Sequence, residues 1–207
     1  MKIKKIAVGE LSANCYFVYD ENTKDAVVID PGDDGIVLME FVQQQGLNIK
    51  YILNTHGHND HCDDDFYMKA QTGALVAISE EDEIYLSNPA ETDVFYRDRA
   101  PLGRADICLH DGDVINFGNC SLQVIATPGH TKGGVCFYSA EHKCCFTGDT
   151  LFRATVGRVD FYGGDMDALM HSIKEKLAFV PDDATIYPGH GAASTMGYER
   201  GMNRYLK

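Results

Sequence analysis

His56, His58, Asp60 and His61 place three imidazoles and a carboxylate within six residues, in the run Thr55-His56-Gly57-His58-Asn59-Asp60-His61. Imidazole nitrogen and carboxylate oxygen are ligands for zinc, iron and manganese alike. The run follows an apolar stretch, Ile49-Lys50-Tyr51-Ile52-Leu53-Asn54, that reads as a buried strand. Four other segments repeat the pattern of a strand, a Gly- or Pro-bearing turn and a ligand-type side chain. They are Val27–Ile29 into Asp30-Pro31-Gly32, Leu122–Ala126 into Thr127-Pro128-Gly129-His130, Lys143–Phe146 into Thr147-Gly148-Asp149, and Thr185–Tyr187 into Pro188-Gly189-His190. Gly and Pro set tight turns and permit close backbone approach, so ligands from several strand ends could meet on one rim.

The elements that must carry these turns alternate in the first half. Met1–Val8 reads as a first strand. A helix is expected from about Gly35 to Gln45, stopped by Gly46, and another from about Asp63 to Gln71, followed by a strand at Ala74–Ile78. Residues 88–106 read as irregular loop and as a candidate substrate lid. Strands follow at Val114–Phe117, Leu122–Ala126, Gly134–Tyr138 and Lys143–Phe146. Met166, Leu169, Met170, Ile173 and Leu177 form one apolar face of a helix over Asp165–Leu177, and a helical tail spans Ser194–Tyr205. The two β-rich halves suggest two packed sheets with helices outside.

At 207 residues the chain is expected to form one domain. No stretch approaches the roughly 20 apolar residues of a membrane span, and the N-terminus lacks a signal-peptide core. Seven cysteines with no C-x-x-C pair fit reduced thiols in a cytosolic protein. A formal charge of −13 without a basic stripe disfavours nucleic acid as a partner. The acidic runs Asp63-Asp64-Asp65 and Glu80-Glu81-Asp82-Glu83 read as solvated, the second as a helix start.

The H-x-H-x-D-H run with His130, Asp149 and His190 resembles the metallo-β-lactamase superfamily, over nearly the whole chain from Asp30 to Gly191. That resemblance implies an α+β fold, an αββα sandwich of two mixed sheets with helices on the outer faces. It implies one divalent metal on His56, His58 and His130, a second on Asp60, His61 and His190, and Asp149 bridging both, with zinc foremost and iron or manganese as alternatives. Two such ions can share a water and lower its pKa from about 15.7 to about 7. Asp60 and Asp149 are therefore the catalytic candidates.

The run from Gly148-Asp149-Thr150 to Gly157-Arg158-Val159-Asp160-Phe161 resembles short bacterial hydroxyacylglutathione hydrolases (glyoxalase II-like). A small acyl thioester such as S-lactoylglutathione is the implied substrate. Only 17 residues follow His190, so the C-terminal helical domain by which longer glyoxalases hold glutathione is not expected. Arg158 is a candidate for a substrate carboxylate, since a guanidinium offers a forked donor pair, and Tyr162 for other substrate contacts. Asp30 is a candidate to brace a ligand imidazole through its second N–H. The alternatives are a mononuclear iron persulfide dioxygenase and a non-catalytic metal-binding protein of the same fold.

Overall fold

A computed structural model of the chain describes residues 1–92 and 101–207. The first sheet takes its strands in chain order: β1 (Lys2–Val8), β2 (Ala13–Tyr19), β3 (Asp25–Ile29), β4 (Asn48–Leu53), β5 (Leu75–Ser79) and β6 (Ile107–Leu109). β1, β2 and β3 pair antiparallel, and β3 to β6 run parallel. The parallel steps need crossovers. These are α1 (Gly35–Gln45) between β3 and β4, and α2 (Asn59–Cys62) with α3 (Asp65–Thr72) between β4 and β5; α4 (Ile84–Ser87) follows β5.

The second sheet contains β7 (Val114–Phe117), β8 (Cys120–Ala126), β9 (Val135–Ser139), β10 (Cys144–Gly148), β13 (Thr185–Pro188) and β14 (Ser194–Thr195), in the order β14-β13-β10-β9-β8-β7. Only β10 and β13 pair parallel there. A small ribbon of β11 (Leu151–Phe152) and β12 (Thr155–Val156), then α5 (Met166–His171), lie between β10 and β13, and α6 (Met196–Met202) follows β14.

Strict alternation of side chains explains how apolar runs serve two cores at once. Tyr16, Val18, Val27, Ile29 and Leu53 point toward the second sheet, where they meet Leu122, Val124, Phe137 and Phe146. Their neighbours Phe17, Val28 and Ile52 point outward and pack on Leu38, Val42 and Met68 of α1 and α3. On the far side, Ile125, Cys136, Cys145 and Ile186 pack on Leu169, Ile173 and Leu177. The result is four layers, helices–sheet–sheet–helices, as the sequence pattern implied.

Several boundaries differ from expectation. The expected helix over 63–71 is one helix, Asp65–Thr72, and a separate short helix, Asn59–Cys62, precedes it. The 165–177 helix widens after His171, where the Leu177 N–H donates to Ser172 O at 3.1 Å, five residues back. The tail helix is shorter than expected, since Ser194–Thr195 joins the sheet edge. Of the candidate lid over 88–106, residues 93–100 lie outside the described residues. On its flanks Pro89–Glu91 forms a short 3₁₀ turn and Leu102 N–H donates to Leu86 O at 2.9 Å. Among the described residues no helix is long and apolar enough to cross a membrane.

Between the sheets Phe146 is fully buried, stacked on Tyr187 at 5.1 Å and edge-on to Tyr16 at 5.2 Å. Phe146→Ala is expected to cost about 3–5 kcal/mol in denaturant unfolding. A loss below about 1 kcal/mol would mean that this interface is not close-packed.

Candidate metal centre

Each ligand-type side chain leaves the C-terminal end of a strand. β4 ends at Leu53 and delivers His56, His58, Asp60 and His61; β8 delivers His130; β10 delivers Asp149; β13 delivers His190. The two sheets are sewn together beside these ends. Asn14 Nδ2 donates to Pro188 O at 2.8 Å, the Tyr16 hydroxyl donates to the same carbonyl at 2.6 Å, and the Asn14 N–H donates to Gly189 O at 2.7 Å.

The side chains form two adjoining groups. In the first, His58 Nδ1 lies 2.9 Å from His130 Nε2, and the ring of His56 packs within 4.8 Å of both. In the second, His190 Nε2 lies 3.2 Å from Asp60 Oδ2 and 3.3 Å from His61 Nε2. Asp149 reaches both. Its Oδ1 is 3.5 Å from His61, and its Oδ2 is 3.6 Å from His130 and 3.7 Å from His190.

The tautomers follow from the outer hydrogen bonds. Asp30 is buried in a left-handed backbone conformation, φ 55°. It accepts from Thr55 N–H and Thr55 Oγ1–H, each at 2.7 Å, and from His61 Nδ1–H at 3.0 Å. The Thr55 hydroxyl has one proton, already given to Asp30, so it accepts from His56 Nδ1–H at 3.1 Å. His130 Nδ1–H donates to Arg158 O at 2.7 Å. His56 and His130 therefore present the Nε2 lone pair to the site and His58 presents Nδ1, while His61, with Nδ1–H on Asp30, directs its Nε2 there.

Burial, with neighbouring imidazoles, drives His56 well below the usual histidine range, and burial beside His130 pushes His58 down to about 3. Both are neutral donors. For His61 burial pulls downward, but Asp149 and Asp30 outweigh it and push it up to about 10. Burial also opposes ionisation of Asp60, yet the hydrogen bond from His190 and the charge of His61 hold it below the usual carboxylate range. The first group is thus held neutral, while positive charge is favoured at His61 in the second.

A metal fits these residues. His56 Nε2 and Asp149 Oδ1 are buried with no hydrogen-bond partner among the described residues, which costs free energy unless another group meets them. A Cβ at Gly189 would lie 2.2 Å from Asp149 Oδ1 and 2.8 Å from His61 Cε1, so glycine keeps that space open. Neutral imidazoles and carboxylates are a donor set for divalent transition ions.

The group opens into a cleft of about 960 Å³ whose apolar walls include Leu11, Phe152, Val156 and Phe161. Arg158 lines it, but its guanidinium forks onto Asp160 at 2.6 and 2.7 Å and lies 4.0 Å over the Phe161 ring. Tyr162 is not among the lining residues: its ring packs near Tyr85 and under Lys132, and Phe161 takes the place on the wall. His110 and His171 are exposed and His142 is half-buried. Cys62 is buried and donates to Gly57 O at 3.3 Å.

The acidic runs correct the solvated reading. Asp65 is fully buried and accepts from Asn54 Nδ2 at 3.1 Å, and Asp64 accepts from Gly35 N–H at 2.6 Å. Asp82 is also fully buried and accepts from Gly57 N–H, Thr131 Oγ1–H and Gly133 N–H. No sequence signal separated Asp82 from the exposed Glu80 and Glu81 beside it; its burial depends on loops that are distant in the chain.

A cleft lined by clustered His and Asp at the rim of an αββα sandwich defines a metal-binding protein of the metallo-β-lactamase fold. The chain belongs to the metallo-beta-lactamase superfamily, whose profile matches residues 8–190. It is 34% identical to the hydroxyacylglutathione hydrolase GloC of Haemophilus influenzae, over all of this chain and 98% of that protein. It is 33% identical to the human mitochondrial persulfide dioxygenase ETHE1, over 93% of this chain and 72% of that protein. Among solved structures, the B3 metallo-beta-lactamase BLEG-1 superposes with a TM-score of 0.93 at 30% identity over the whole of both chains. TTHA1623, solved in a di-iron-bound form, superposes at 0.86 with 32% identity, over 98% of this chain and all of that one.

Asp30→Ala removes the acceptor that orients His61 directly and His56 through Thr55. Metal affinity, measured by chelator competition, is expected to fall roughly 10- to 100-fold. Unchanged affinity would show that the imidazoles hold their orientation without it.

Proposed function

We propose that this chain is a metal-dependent hydrolase that cleaves an acyl thioester, of which S-lactoylglutathione is the reference substrate. His56, His58 and His130 would hold one divalent ion, Asp60, His61 and His190 a second, and Asp149 would be shared. The placement of Asp149, with one carboxylate oxygen toward His61 and the other toward His130 and His190, carries this reading. Zinc is the first candidate, and the same donors accept iron and manganese. Divalent ions there supply Lewis-acid polarisation of an acyl carbonyl and acidify water enough for deprotonation at neutral pH.

The rest is the work of the chain. Asp60, ionised and tethered to His190 through Oδ2, offers its other oxygen to accept a hydrogen bond from an attacking water and so orients it. Leu11, Phe152, Val156 and Phe161 receive the apolar part of the substrate and exclude bulk water. Arg158 can receive a substrate carboxylate by exchanging Asp160. That pair is exposed, where solvent screening leaves an ion pair little net stability, so the exchange costs little. Loss of a thiol of pKa about 8.5 needs no strong proton donor, whereas an amine leaving group does. The cleft wall offers no lysine or tyrosine among the described residues to serve as that donor, which favours thioesters over amides. The seven cysteines are free thiols, which supports a reducing, cytosolic setting.

A second reading, an iron-dependent persulfide dioxygenase, is supported by an identity to human ETHE1 nearly equal to that with GloC. A third is a metal-binding protein of this fold without turnover.

Metal-loaded protein is expected to hydrolyse S-lactoylglutathione with kcat/KM of roughly 10⁴ M⁻¹s⁻¹ or more. Oxygen uptake with a glutathione persulfide and no thioester cleavage would replace this reading with the dioxygenase. Faster hydrolysis of a β-lactam would replace the substrate class, and inertness toward all three would leave the non-catalytic reading. Asp149→Ala is expected to lower metal content from two ions toward one and to reduce turnover at least about 10²-fold; full activity in that variant would contradict the shared-ligand role.

A further inference from the structure

Two loops supply the first group of imidazoles: 54–58, with His56 and His58 on either side of Gly57, and 127–134, with His130 beside Thr131. They come from different sheets and are joined by a backbone bond from Val135 N–H to Thr55 O at 2.8 Å, three residues before His58. A third segment, the turn after β5, lies under both. From it, Asp82 Oδ2 accepts from Gly57 N–H at 3.1 Å and from Thr131 Oγ1–H at 2.6 Å, and Asp82 Oδ1 accepts from Gly133 N–H at 2.7 Å. The carboxylate is fully buried.

The contacts around it are close. A Cβ at Gly133 would lie 2.1 Å from Ser79 Oγ and 2.6 Å from the Asp82 nitrogen, and one at Gly57 would lie 2.5 Å from the Tyr85 side chain. Both loops therefore press on the 79–85 segment at residues that have no side chain to hold them off. The second group is anchored elsewhere, by Asp30 on His61 and by the Asn14 and Tyr16 bonds to the Pro188–Gly189 turn.

We propose that Asp82 is a positioning residue for the His56–His58–His130 group alone: it clamps the two loops so that the three imidazoles converge, and the Asp60–His61–His190 group does not depend on it. This rests on the two-ion reading above. Asparagine at this position keeps the size but has one acceptor oxygen for three donors, and its amide would face N–H groups.

The test measures zinc affinity by competition with a chromophoric chelator in two backgrounds. His190→Ala leaves the three-imidazole group complete, and His58→Ala leaves the other. Adding Asp82→Asn is expected to weaken zinc binding at least tenfold in the first background and less than twofold in the second. Thr131→Val, which deletes one of the three hydrogen bonds and keeps the fold's volume, should show a smaller loss in the same background only. Phe137→Leu, a core change in the second sheet, should leave both affinities alone. Equal losses in both backgrounds, no loss in either, or the same selective loss from Phe137→Leu would overturn the proposal. A wild-type capacity of one zinc would sink the two-ion reading, yet the comparison between backgrounds would still decide the role of Asp82.

Discussion

The centre depends on one buried carboxylate. Asp30 receives three hydrogen bonds, two from Thr55 and one from His61, at the point where β3 and β4 end side by side. A buried carboxylate is tolerated only when its lone pairs are met, and meeting them here fixes two imidazoles. His61 is held directly, and His56 is held through a hydroxyl whose single proton is already committed. The free energy of satisfying Asp30 and the geometry of the ligands are thus one and the same constraint.

The topology explains why such different stretches of chain meet. β3 and β4 run parallel in one sheet, and β10 and β13 run parallel in the other. Each pair sends its C-terminal ends to the same rim, and β8 adds a fifth strand end. Antiparallel neighbours would have sent alternate turns to opposite rims. The core between the sheets, centred on Phe146 and its aromatic neighbours, sets the distance across which Asp149 must reach. Close packing resists small shifts, so it holds that distance constant.

The polar layer beneath the ligands divides into two supports. Asp30 holds His61 and, through Thr55, His56, and the Asn14–Pro188 stitch holds the turn that carries His190, while Asp82 lies beneath the loops from β4 and β8. The two groups share Asp149 and the Asp30 support, and the His56–His58–His130 group alone has Asp82 beneath its loops.

The ligand types, their turns and the strands that lead to them were legible in the sequence. The pattern repeats at five strand ends, and Gly and Pro restrict the backbone there whatever the distant context. Periodicity likewise exposed the apolar face of the 165–177 helix. Other features were decided only by tertiary structure. Asp82 and Asp65 sit in acidic runs that look solvated, yet both are buried: loops from β4 and β8 close over Asp82, and Asp65 turns inward to Asn54. Arg158 reads as a candidate for a substrate carboxylate, and the folded chain brings Asp160 into its fork and Phe161 under its plane. The sequence by itself determined which groups could bind a metal, because chemistry and turn geometry are local. Only the tertiary structure decided which carboxylates brace those groups, because burial and hydrogen-bond partners are set by segments that meet across the fold.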